Sequence, residues 1–179
     1  NEYVFSRTFD FKKNSEKVIL VCEGIDTLCT LYLNGKEVGK TENMHRVYEF
    51  NVEDFLIDGT NEIKAVFLPL ETYLQEEFDK QYIFGGGHSL NGMMFVRKAH
   101  SMLGWDWGPR LPDLGIWRDI YLINGDLPRI SEFSILQTHE DEKVFVTPKA
   151  SSDKECDIEI VLTAPNGTRT YLKNGVKNE

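Results

Sequence analysis

The chain has 179 residues, 41% of them hydrophobic, and a formal net charge of -9. That length allows one full domain and part of a second, and the composition is globular rather than disordered. The acidic balance excludes nucleic-acid and anionic-membrane partners, both of which call for clustered Lys and Arg.

In chain order, apolar runs rich in β-branched and aromatic residues recur: "YVFSRTFDF", "KVILVCE", "LCTLYL", "VYEFNV", "EIKAVFLP", "MMFVRKA", "IWRDIYLI", "FSILQT", "KVFVTP" and "DIEIVLT". Turn residues punctuate nearly all of them, so the fold class is all-β, a sandwich or barrel. Asn34-Gly35 predicts a tight hairpin, because both residues tolerate positive φ, and Asp58-Gly59 plays a similar part before the strand at Glu62 to Leu68. Only "LETYLQEEFDKQ" reads as a helix, a short cover with Leu70, Leu74 and Phe78 at i, i+4 spacing. The glycine-rich stretch 82–92 is a long loop, without the Lys-Ser/Thr of a phosphate cradle.

At "NGDLPRI", residues 124 to 130, a turn and a proline separate two strand sets, which sets domains at 1–126 and 127–179. The second has too few strands to close a sandwich of roughly 100 residues, and its end, "KNGVKNE", reads as a polar tail. The chain opens on Asn1 directly into strand-like residues and is read as a fragment. No apolar run approaches about 18 residues, so no membrane span is expected. Cys22, Cys29 and Cys156 show neither CxxC spacing nor an even count, which suggests free thiols and a cytoplasmic location.

A search for chemistry excludes more than it finds. There is no GxSxG elbow, and His45, His88, His100 and His139 lack the spacing of a metal site. No cofactor and no metal are expected. What remains is "HSMLGWDWGPRLPDLGIWRDI", which holds all three tryptophans. An indole face against a pyranose, with a carboxylate taking hydroxyls, is a common way to hold a sugar. Trp105 and Trp107 could equally plug one end of a sandwich, leaving Asp106 exposed. Gly104, Gly108 and Pro109 favour a shaped loop over a strand.

The run "RKAHSMLGWDWGPRLPDLGIWRDIYL" resembles the Arg-Lys, Gly-Trp-Asp-Trp-Gly-Pro and Gly-Ile-Trp-Arg segment of β-mannosidases of glycoside hydrolase family 2. "CEGIDTLCTLYLNGKEVGKTENMHRVYEFNV" resembles the amino-terminal domain of the same family. The resemblance implies a jelly-roll (galactose-binding-like) sandwich with a short cover helix, followed by part of an immunoglobulin-like sandwich. In the family a (β/α)8 barrel carries two catalytic glutamates, and the implied enzyme is a retaining exo-hydrolase of β-mannosides. No catalytic residue is expected in this chain: Asn1-Glu2, Asn61-Glu62 and Asn178-Glu179 imitate the family's Asn-Glu signature without a barrel to present it. The resemblance makes Trp105 an apolar wall and Asp106 an acceptor for sugar hydroxyls. Arg97, Trp107, Trp117 and Arg118 are implied supports of the loop, the two arginines through carboxylates such as Asp106 or Asp119. The partners implied are a β-linked mannoside and the barrel in cis. Alternatives are a family 2 hydrolase of other sugar specificity and a self-sufficient carbohydrate-binding module.

Overall fold

A computed structural model describes residues 2–106 and 108–176 of the chain. It divides into two units, Asn1–Gly125 and Asp126–Glu179.

In the first unit, β1 (Tyr3–Phe11) and β2 (Val18–Cys22) are followed by the short β3 (Ile25–Asp26), then β4 (Cys29–Leu33) and β5 (Lys36–Thr41). Asn34 and Gly35 join β4 to β5 with φ of 50° and 79°, the doubly left-handed turn that the Asn-Gly pair predicts. After β6 (Tyr48–Asn51) and β7 (Gly59–Phe67) comes α1 (Leu70–Lys80). A long irregular segment leads to β8 (Gly115–Ile116) and β9 (Ile120–Asn124). One antiparallel sheet runs β1-β7-β4-β5 and a second runs β6-β2-β9, with β3 and β8 paired separately.

Alternation decides which side chains enter the space between the sheets. Cys29, Leu31 and Leu33 of β4 are buried while Thr30 and Tyr32 are only half-buried. Central strand β2 is buried at all five positions: Val18, Leu20 and Cys22 join the main core with Leu31, Leu33, Val52 and Phe67, and Ile19 and Val21 are covered on the opposite face. A second apolar cluster lies beneath α1, where Leu70 and Leu74 meet Met93, Val96 and Leu103.

Three segments depart from the sequence expectation. "MMFVRKA" is not a strand: Gly92, at φ 77°, starts a single 3-10 turn over Met93–Phe95, which points Met93 and Val96 at the helix cluster. "IWRDIYLI" is two strands, broken at 117–119. In the second unit β10 (Ile130–Glu140) pairs with β11 (Lys143–Ser152), and β12 (Cys156–Thr163) pairs with β13 (Arg169–Val176). Strand β13 therefore takes in part of the stretch that reads as a polar tail, because the backbone register with β12 holds it regardless of side-chain polarity.

Asn61 owes its burial to structure. Its side chain donates to the carbonyls of Ile57 and Gly59 and accepts from the Ile57 amide and from Asn34 Nδ2, closing the turn before β7.

Candidate functional site

The segment between α1 and β8 carries the Trp-Asp pair, and its conformation follows from what anchors it. Leu103 is fully buried in the helix cluster, and its carbonyl accepts from the Leu90 amide at 2.9 Å. Immediately beyond it the chain turns outward. Trp105 and Gly108 then exchange backbone hydrogen bonds of 3.4 and 3.3 Å, making a small closed tip, and Leu111 donates to the Met102 carbonyl at 3.1 Å.

The glycine-rich stretch has a physical role in this arrangement. A Cβ on Gly86 would lie 2.9 Å from Cζ3 of Trp105, and the backbone there has φ of 149°. Bare backbone at residue 86 is the bed on which the indole rests. Trp105 is still 41% exposed at the tip. Asp106 is exposed and has no hydrogen-bond or ion-pair partner among the described residues. An ionised carboxylate there keeps its full acceptor capacity for a ligand.

Trp117 occupies a different place. Its Nε1 donates to the Met44 carbonyl at 3.3 Å, and Gly24 leaves room for the ring, since a Cβ on residue 24 would lie 2.7 Å from that same nitrogen. The Arg118 guanidinium sits 4.3 Å from the ring centroid. A cation over an indole at this exposure contributes about 0.5–1 kcal/mol. Arg97 is exposed, while its backbone carbonyl accepts from the Met44 amide at 2.9 Å. Among the described residues neither arginine pairs with Asp106 or Asp119: Arg118 is drawn to the indole face, and Arg97 acts through its main chain. Trp107 lies outside the described residues.

Sequence reasoning missed the two charged residues at the base of this segment. Lys98 and Asp26 are 3% and 4% exposed and form an ion pair across 72 residues of sequence. Lys98 Nζ also donates to the Asp113 carbonyl at 2.7 Å. The other Asp26 oxygen accepts from the Thr27 hydroxyl, and the Thr27 carbonyl accepts from Thr41 Oγ1 at 2.9 Å. Both residues lie in runs that carry the resemblance, Asp26 in "GIDT" and Lys98 in the Arg-Lys pair, but nothing in either run couples one to the other.

Among the described residues this unit carries at least two clefts. One, of about 500 Å³, opens between β1 and β9 and is lined by Phe5, Arg7, Phe9, Ile63 and Tyr121. Another, of about 440 Å³, is lined by Asp26, Met44, Met102, Asp113, Leu114 and Trp117. Neither of these two is lined by Trp105 or Asp106. No group of three or more His, Cys, Asp or Glu side chains stands at metal-binding distance among the described residues. No helix among them is long and apolar enough to cross a membrane.

Comparison with known proteins agrees with this architecture. A β-mannosidase of Capra hircus is 34% identical over 115 residues, covering 58% of this chain and 13% of that protein. The crystal structure of a β-D-mannosidase from Dictyoglomus thermophilum superposes with a TM-score of 0.76 at 28% identity, over 99% of this chain and 24% of that one. An exo-chitosanase from Amycolatopsis orientalis shares the fold, with a TM-score of 0.59 at 14% identity over 98% of this chain and 19% of that one. The chain thus spans a small part of the length of the hydrolases it matches. Residues 1–118 match the glycosyl hydrolase 2 galactose-binding domain-like family, and the chain belongs to that family.

Proposed function

We propose that the chain is the non-catalytic amino-terminal part of a retaining, exo-acting β-mannosidase-like hydrolase, and that Trp105 and Asp106 form one wall of its sugar pocket. A (β/α)8 barrel elsewhere in the parent protein supplies both catalytic glutamates and closes the pocket. The observation that carries this reading is the braced tip itself: a half-exposed indole beside a carboxylate with no partner among the described residues, lining neither cleft. Trp105 would cover the apolar C–H face of the terminal sugar, and Asp106 would accept from its hydroxyls. Arg97, Trp117 and Arg118 would brace the base of the loop. Residues 1–126 would be the jelly roll and 127–179 the start of an immunoglobulin-like sandwich. Three free cysteines support a cytoplasmic location.

One wall buries too little of a monosaccharide to offset the entropy lost on association. A ligand-observed NMR titration of the 179-residue chain with mannose and β-1,4-mannobiose should therefore show no saturable binding. In the full-length enzyme Asp106→Ala should lower kcat/KM on the order of 10–100-fold, the weight of a charge-assisted hydrogen bond. Saturable binding by the chain alone, lost in Asp106→Ala, would instead make it a self-sufficient binding module.

A further inference from the structure

Lys98 and Asp26 stand apart from several other ion pairs among the described residues. Lys40–Glu37, Lys80–Glu77 and Lys173–Glu159 are pairs on the surface, whereas the Lys98 side chain is fully buried and that of Asp26 is 6% exposed. Stability alone does not explain such a pair, because apolar side chains of similar volume would hold a core as well or better. What a buried ammonium adds is direction: its protons must point at acceptors, while apolar packing tolerates slippage.

The acceptors lie at informative places. Asp26 ends β3 and pairs in register with Gly115 of β8, and it is held from behind through Thr27 to Thr41 at the end of β5. Asp113 lies just before β8. Lys98 thus fastens the start of the segment 98–113 both to the sandwich and to the segment's own end. Trp105 and Asp106 sit at the middle of that segment, farthest from either end.

We propose that Lys98, seated on Asp26, is the positioning residue that sets where the Trp105–Asp106 tip stands. The proposal rests on the reading of that tip as a sugar-pocket wall. Placement at a sugar site matters steeply, since an error of about 1 Å can cost roughly 100-fold in rate. The pair converts the base of an irregular segment into a fixed frame, and the tip inherits its place from that frame.

The test compares Lys98→Met with the double variant Asp26→Asn/Lys98→Met. The single variant strands a buried carboxylate and threatens the fold, whereas the double variant removes both charges and keeps similar volume. Amide hydrogen exchange in the 179-residue chain is read at Met102, Gly108 and Leu111, with Leu31 of β4 and Ala65 of β7 as controls. In the double variant the control amides should keep their protection while the three loop amides exchange about tenfold faster or more. Unchanged exchange at the loop amides, or equal loss at the controls, would overturn the proposal. The same double variant in the full-length enzyme should lower kcat/KM for an aryl β-mannoside at least tenfold, with Asp106→Ala adding little on top. Faster loop exchange with unchanged kcat/KM would uphold the positioning role and sink the sugar-wall reading.

Discussion

Strands β4 and β12 carry the same pattern and meet different fates. In β4, Cys29, Leu31 and Leu33 alternate with polar or amphipathic residues, and all three are buried. In β12, Cys156, Ile158 and Ile160 alternate with Asp157 and Glu159 in the same way, yet all three are only half-buried. The contrast extends to both units: among the described residues every buried hydrophobic side chain lies between Val18 and Leu103, and Ser152 alone is buried in the second unit. Alternation specifies a strand and chooses its face, but burial needs an opposing sheet. Among the described residues the first unit has two sheets of three or more strands and the second has two hairpins.

Separating the units should break the comparison most visibly. Residues 1–125 alone should keep a cooperative thermal transition by circular dichroism, and residues 126–179 alone should show none, because so short a chain with an open core is marginal at best. A cooperative transition in the isolated second unit would remove the contrast.

Point substitutions sharpen it. Phe67 is fully buried and meets Phe5 edge-on at 5.6 Å, so Phe67→Ala should cost about 3–5 kcal/mol in chemical denaturation. Phe133 in β10 is 52% exposed, and Phe133→Ala should cost under about 1 kcal/mol.

The thiols give a milder, pH-dependent version. Burial pushes both Cys22 and Cys29 up to about 12 from 9.0, and each is neutral in the folded chain where an unfolded thiol would ionise. Their stabilising contribution is complete below pH 9 and is lost as pH rises through 9 to 12, since the unfolded chain then holds fewer protons. At pH 10 the loss should be on the order of 1 kcal/mol for each thiol, read as a falling denaturation midpoint. At pH 8 a thiol reagent should label the half-buried Cys156 first and leave Cys22 and Cys29 unmodified until unfolding.

The smallest effect belongs to the functional candidate. Asp106→Ala removes an exposed carboxylate with no partner among the described residues, so the denaturation midpoint should move by no more than about 0.5 kcal/mol. A larger loss would mean that Asp106 serves the fold.

Much of this was legible in advance where the signal is local. Asn34-Gly35 carries its own backbone preference, Leu70 and Leu74 carry helical spacing, and the Trp-Asp motif lies within a few residues. Longer-range effects were not legible. Met93 and Val96 look like strand residues until α1 is placed over them, because tertiary packing outweighs a short apolar run. Lys98 looks like a surface lysine because lysines almost always are, and nothing within many residues of it announces Asp26. Gly86 reads only as part of a long loop and Gly24 only as part of the "GIDT" strand, whereas each is a clearance for one indole.

The order of the strands also bears on synthesis. Strand β2, buried at every position, finds one neighbour in β6 but its other in β9, where Ile19 meets Ile123. A ribosome adding residues one at a time must make about 100 more after β2 before that second neighbour emerges, roughly 5–20 s of elongation. The most apolar strand of the chain waits longest for its cover, so a nascent chain is most in need of a chaperone between Val18 and Asn124.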